Sequence, residues 1–153
     1  MTETDRDRQR QAKTAAVERL AREDVSRYRL AAVDARLERY VSDVQADPEW
    51  HCLWDVLAVL RFLGHCRRYG IDVLAVRRFA RFYESLYFPG KAGPTRYRLT
   101  PVQYFQFAAI YGFREGGRRV TREACLFVPR KYSKTTSTAA IAAYDLLYGD
   151  ANA

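Results

Sequence analysis

A lysine followed by a hydroxyl side chain at the start of a helix is the pair that phosphoryl chemistry uses: the ammonium group reaches the β/γ-phosphates and the hydroxyl a magnesium ion. Lys134-Thr135 is such a pair. Before it lie the apolar Leu126-Phe127-Val128 and the basic Pro129-Arg130-Lys131-Tyr132-Ser133; after it comes the alanine-rich Thr138-Ala139-Ala140-Ile141-Ala142-Ala143. The apolar run suits a buried strand over 124–128, and the alanine-rich pattern suits a helix over 134–148 closed by Gly149. Strand, loop and helix N-terminus in that order make an anion site, because the unpaired N–H groups of the first turn and the positive end of the helix dipole face the loop. On this reading the amides of residues 129–135 form a cup for a triphosphate, and Lys131, Tyr132, Ser133, Lys134, Thr135 and Thr136 contact it. Only the end of the generic G-x-x-x-x-G-K-[ST] spacing is met, since Val128 and Ser133 stand at the glycine positions. The same residues also suit a solvated basic loop before a threonine-capped helix.

Gln103 is a second candidate. Thr100 is a good N-cap and Pro101 fits the first helical position, where its missing N–H costs nothing. A helix from there to about Gly112 carries Gln103 in its first turn. A glutamine amide offers an acceptor and donors, as the adenine edge does, so a bidentate fit is available; an ordinary helical glutamine is the plainer account.

The pairs His51-Cys52 and His65-Cys66 suggest a metal, but one predicted helix spans both. At about 1.5 Å per residue the two cysteines would stand roughly 21 Å apart, and a single zinc with bonds of about 2.0 to 2.3 Å cannot join them.

The elements that would position these residues must come from 153 residues, enough for one domain with a core. A 48% apolar, 14% aromatic composition is that of a globular chain. The net charge of +8 is mostly arginine, with lysine only at Lys13, Lys91, Lys131 and Lys134, and it suits either an anionic partner or a solvated basic surface. No apolar run reaches the roughly 18 residues of a membrane span and residues 1–5 lack signal-peptide character, so a cytoplasmic location without membrane contact is expected. Three widely spaced cysteines fit reduced thiols there.

Residues 5–46 are charged and glycine-free with apolar positions three and four apart, predicting one long or two consecutive amphipathic helices whose first dozen residues fray. Such a segment could be a basic arm, a docking helix or a solvated cover. Asp47-Pro48 breaks it. A helix over 49–69 follows, with Trp50, Leu53, Trp54, Leu57 and Leu60 on its apolar face and Gly70 at its end. Asp72 caps another over 73–87, apolar on one side and arginine-rich on the other. Pro89-Gly90-Lys91-Ala92-Gly93-Pro94 reads as a loop, and Gly116-Gly117 as the turn of a small hairpin.

Taken together, Phe82-Tyr83-Glu84, Leu99-Thr100-Pro101-x-Gln103, Tyr111-Gly112-Phe113, Arg118-Arg119 and Phe127-Val128-Pro129-Arg130-Lys131-x-x-Lys134-Thr135 resemble the start of the ATPase domain of tailed-phage terminase large subunits. The likeness lies in motif order and spacing, and it covers roughly residues 40–150. Such proteins pump viral DNA into a capsid with a P-loop ATPase and cut it with a nuclease. The resemblance implies a mainly α chain of three parts: a helical region over 1–88, a linker over 89–98, and over 99–153 the first strand–P-loop–helix unit of an α/β ATPase. It implies ATP and Mg2+ as cofactors, and as partners of the parent protein double-stranded viral DNA, a portal protein and a small terminase subunit, all in the cytoplasm of a bacterial host. Lys134 would hold the β/γ-phosphates, Thr135 the magnesium, Arg130 would sense the γ-phosphate, and Gln103 would read adenine. That family's phosphate loop lacks the usual first glycine, which accommodates Val128.

Ser133 departs from the family, which has glycine just before the lysine; at a positive φ a serine costs on the order of 1 kcal/mol. The acidic residue that a P-loop ATPase places at the end of a second strand, and the carboxylates of the nuclease, have no counterpart here. The expectation is therefore an N-terminal segment that binds nucleotide without hydrolysing it, marginally stable or self-associating because its one strand has open edges. The alternative from another class is a non-enzymatic basic helical module that binds DNA or a protein.

Overall fold

A computed structural model describes residues 2–90, 93–125 and 134–149. The chain is mainly α-helical and divides into two units, 1–71 and 72–153. The sequence boundary expected after residue 88 falls inside the second of them.

In the first unit, α1 (Glu3–Ala21) starts on a capping box: Thr2 Oγ1 accepts from the Asp5 N–H at 3.3 Å and Asp5 Oδ2 from the Thr2 N–H at 3.1 Å. These bonds satisfy orphan donors of the first turn, so the residues expected to fray are helical. Helix and helix do not run on continuously. Asp24 turns the chain by accepting from the Ser26 N–H at 3.1 Å, Arg29 is left-handed at φ 50°, and Asp34 caps α2 (Ala35–Ala46) through the Arg36 N–H at 2.9 Å. Each short acidic side chain offers the backbone a local partner that competes with a helix interior. Gln45 reaches back and donates to the carbonyls of Leu20, at 3.0 Å, and Glu23, at 2.7 Å, closing the C-terminal end of α1.

The next helix, α3 (Leu53–Tyr69), begins four residues later than the apolar pattern suggested, after a 3-10 turn over Pro48–Trp50. Asp55 Oδ2 accepts from the Cys52 N–H at 3.2 Å and sets the start. The helix buries Val56, Val59, Leu60, Phe62 and Leu63. Trp50 and Trp54, expected on the apolar face, are 90% and 70% exposed.

In the second unit, α4 (Val73–Ser85) is capped by Asp72, which accepts from the Ala75 N–H at 2.9 Å. It buries Val76, Phe79, Ala80 and Tyr83 and exposes Arg77, Arg78 and Arg81. The stretch expected as a loop forms an antiparallel pair, β1 (Tyr87–Gly90) with β2 (Gly93–Arg96). Pro89 lies opposite Pro94. Two residues without an N–H at one register position, between hydrogen-bonded pairs, remove no ladder bond, which is why a proline-rich segment can pair at all.

Next, α5 (Pro101–Tyr111) is the interior helix, burying Tyr104, Phe105, Phe107, Ala108, Ile110 and Tyr111. The hairpin β3 (Arg114–Glu115) and β4 (Arg118–Arg119) follows, turning at Gly116 and Gly117 with φ 58° and 80°. Positive φ at both central residues is what a two-residue hairpin of this twist requires. Last comes α6 (Lys134–Tyr148), starting and ending where the sequence predicts, with the Gly149 N–H on the Asp145 carbonyl at 2.9 Å. Of the expected strand, Ala124 and Cys125 have no strand pairing; residues 126–128 and the loop 129–133 lie outside the described residues.

Aromatic side chains join α4, α5 and α6. Phe79 stacks on Tyr111 with ring centres 4.3 Å apart and meets Phe107 at 4.7 Å and Tyr144 at 5.0 Å. Such contacts add about 0.5–1.5 kcal/mol each beyond the area they bury.

Candidate functional site

Residues 103, 106 and 110 of α5 recur at three and four, and so share one helix face; residues 134, 137, 138, 141 and 145 do the same on α6. These two faces, with the segment 119–124, enclose a cavity of about 380 Å³. Two tethers hold the segment in place: Thr121 Oγ1 donates to the Ala109 carbonyl of α5 at 2.9 Å, and Arg119 donates to both oxygens of Asp145 on α6 at 3.1 and 3.2 Å. The lining carries Arg119, Arg122 and Lys134 against Glu123 and Asp145. Since Arg119 and Asp145 neutralise one another, the charge left for a ligand among the described residues is that of Arg122, Lys134 and Glu123. The volume lies at the lower end of the roughly 300–1,000 Å³ range of small-molecule sites.

Gln103 and Lys134, the two candidates picked out on separate helices, both line this cavity. Gln103 is 6% exposed, and its Oε1 is engaged in the α5 capping box, accepting from the Thr100 N–H at 3.0 Å and Thr100 Oγ1 at 3.2 Å. Both lone pairs are thereby used. The amide nitrogen is what Gln103 offers a ligand, so it can donate to a base but cannot match adenine bidentately while the cap is formed.

Lys134 is the first residue of α6 and is exposed. Thr135 is exposed and Thr136 half-buried, and neither lines the cavity. Ser137 does, with its hydroxyl hydrogen-bonded to that of buried Tyr83 at 3.1 Å. Arg130, Lys131, Tyr132 and Ser133 lie outside the described residues. Arg122, Thr121, Gln106, Thr138 and Asp145 were not singled out in the sequence. For the helical ones a signal was there: each stands three, four or a sum of threes and fours from Gln103 or Lys134 along its helix.

Behind the cavity, Asp145 also accepts from the Tyr111 hydroxyl at 3.1 Å. Burial first, then the Asp145 carboxylate, pushes the Tyr111 phenol well above its ordinary range, against the pull of Arg119. Tyr111 therefore stays a neutral donor that fixes the carboxylate facing Arg119.

The donors present fit a nucleoside with its phosphates: one amide N–H2, one ammonium and one guanidinium around a cavity of suitable size. Among the described residues no group of three His, Cys, Asp or Glu side chains is placed to hold a metal ion. No protein-family model, curated protein or solved structure matches the chain.

Proposed function

We propose that the chain corresponds to the N-terminal part of a terminase large subunit, the viral DNA-packaging ATPase, and that the cavity between α5 and α6 receives ATP. The observation that carries this reading is that Gln103 and Lys134, thirty-one positions apart and chosen for opposite ends of a nucleotide, line one cavity of about 380 Å³. In it Lys134 neutralises the β/γ-phosphates, aided by the N–H groups of the first turn of α6. The Gln103 amide donates to an acceptor of the base, and the α5 cap fixes its direction. Bound magnesium would screen charge between the phosphate oxygens. On the resemblance, Arg130 would sense the γ-phosphate; it and residues 131–133 lie outside the described residues, and Thr136 does not line the cavity. Charge neutralisation and positioning are most of what phosphoryl transfer asks of a protein.

A fluorescent ATP analogue with Mg2+ tests the reading. A charge-assisted contact contributes about 1.5–3 kcal/mol, so Lys134→Ala should weaken binding about 10- to 100-fold. Equal affinities for the two proteins would remove Lys134 from the site and the reading with it.

A second reading, a basic DNA-binding module without nucleotide, is favoured by one feature: Arg77, Arg78 and Arg81 lie exposed along α4. It requires DNA affinity that falls steeply with salt and is indifferent to Lys134→Ala.

A further inference from the structure

A second recess, of about 340 Å³, shares Arg119 and Asp145 with the first and is otherwise built from α4, β3, α5 and the end of α6. Three guanidinium groups line it, those of Arg78, Arg114 and Arg119, with the rings of Tyr111, Tyr144 and Tyr148. Among the described residues its one lining carboxylate is committed, since Asp145 takes bonds from Arg119 and Tyr111. Arg114 sits 3.5 Å from Asp72, at the start of α4, and donates to the Gly117 carbonyl at 2.9 Å. Arg78 is exposed and makes no hydrogen bond or ion pair with the described residues. The recess therefore holds more positive than negative charge, and an incoming anion would meet Arg78 without displacing a carboxylate from it.

The walls restrict which anion. Tyr144 and Tyr148 lie with ring centres 5.3 Å apart, Tyr111 and Tyr144 with theirs 5.2 Å apart, and Tyr148 is 58% exposed. The volume exceeds what a phosphate ion alone would fill. Guanidinium forks match phosphate oxygens, and an exposed tyrosine ring gives a base a face to stack on. Burial raises the Tyr144 phenol above its ordinary range while Arg78 and Arg114 oppose that rise, which places both charges against the tyrosine wall.

We propose that this recess is a second, separate ligand site, which takes one nucleotide with Arg78 and Arg114 on its phosphate and Tyr148 against its base. The nucleotide can be free or the phosphorylated end of a single strand, since both present the same group.

Calorimetric titration of the full chain at low salt tests this. AMP, inorganic phosphate and a short 5′-phosphorylated single-stranded oligonucleotide are compared, all with Lys134→Ala protein so that loss of the ATP cavity and loss of this site are read separately. AMP should bind more tightly than phosphate; Arg78→Ala should weaken it at least tenfold and Tyr148→Ala severalfold, whereas Arg39→Ala, an exposed arginine of α2 outside the recess, should leave it unchanged. An oligonucleotide gaining at least tenfold over AMP, still dependent on Arg78, assigns the site to strand ends; no gain assigns it to free mononucleotide. Binding unaffected by Arg78→Ala, AMP no better than phosphate, or no binding of AMP or oligonucleotide would each overturn the proposal.

Discussion

Gln103 and Thr100 cap α5 reciprocally: Gln103 Oε1 accepts from the Thr100 N–H at 3.0 Å, and Thr100 Oγ1 accepts from the Gln103 N–H at 3.3 Å. One glutamine therefore serves the helix with its oxygen while it also lines the cavity, and the two functions can be separated by substitution. Gln103→Glu keeps the acceptor, suits the positive end of the helix dipole and removes the amide donor. Its urea midpoint should stay near wild type while affinity for the ATP analogue falls about tenfold or more. Gln103→Leu should lose both, with a stability cost of about 1 kcal/mol. If Gln103→Glu binds the analogue as wild type does, the amide plays no part in recognition.

Asp145 is the common acceptor for Tyr111 and Arg119. Truncating it leaves a buried hydroxyl and a half-buried guanidinium without their acceptor, so Asp145→Ala should destabilise by about 2–4 kcal/mol. Tyr111→Phe removes only the donor and should cost about 1 kcal/mol. Chemical denaturation of both variants checks the ordering; an Asp145→Ala protein as stable as Tyr111→Phe would show that the Arg119 pairing adds nothing to stability.

Burial pushes the Tyr83 phenol from 10.0 up to about 12, with Tyr97 adding to the rise and the Ser137 hydrogen bond opposing it. The folded state thus favours the neutral phenol. Its contribution to stability is complete below about pH 10 and is lost as pH rises through the window up to about 12. Denaturation midpoints measured across that window should fall, and Tyr83→Phe should reduce the slope. A slope identical in both proteins would mean that Tyr83 ionises freely in the fold.

Thiol reactivity should divide the cysteines. Cys52 and Cys125 are exposed, whereas burial raises Cys66 to about 12. Because the thiolate is the reactive species, Cys66 at neutral pH should react on the order of a thousandfold more slowly than an ordinary thiol. Titration with a disulfide reagent should release two thiols quickly and the third on denaturation, and Cys66→Ser should abolish the slow phase. Three equal rates would contradict the burial of Cys66.

Much of the secondary structure was legible in short stretches of sequence. Asp72 before α4, Thr100-Pro101 before α5, Gly116-Gly117 in the hairpin and the alanine-rich run of α6 all act within about four residues, by satisfying or freeing backbone groups of their own turn. Lys134 and Gln103 stood out as candidates for the same reason, as residue types at the first turn of a helix. Other assignments turned on competition. Asp24, Asp34 and Asp55 each supply a local acceptor, and nothing in the apolar spacing shows that they win over a continuous helix. Thus 5–46 is broken in the middle, α3 starts at Leu53, and Trp50 and Trp54 face solvent.

The sequence by itself determined where most helices cap, how much charge the chain carries and which side chains could meet a phosphate. Only the tertiary structure decided that Gln103 and Lys134 line one cavity, that Arg119 is spent on Asp145, and that Arg78 shares a second recess with Arg114. Capping bonds close within one helical turn, and spacing along the chain displays them. A cavity is the space left when helices distant in sequence pack, so its lining follows from how α4, α5 and α6 bury their aromatic faces.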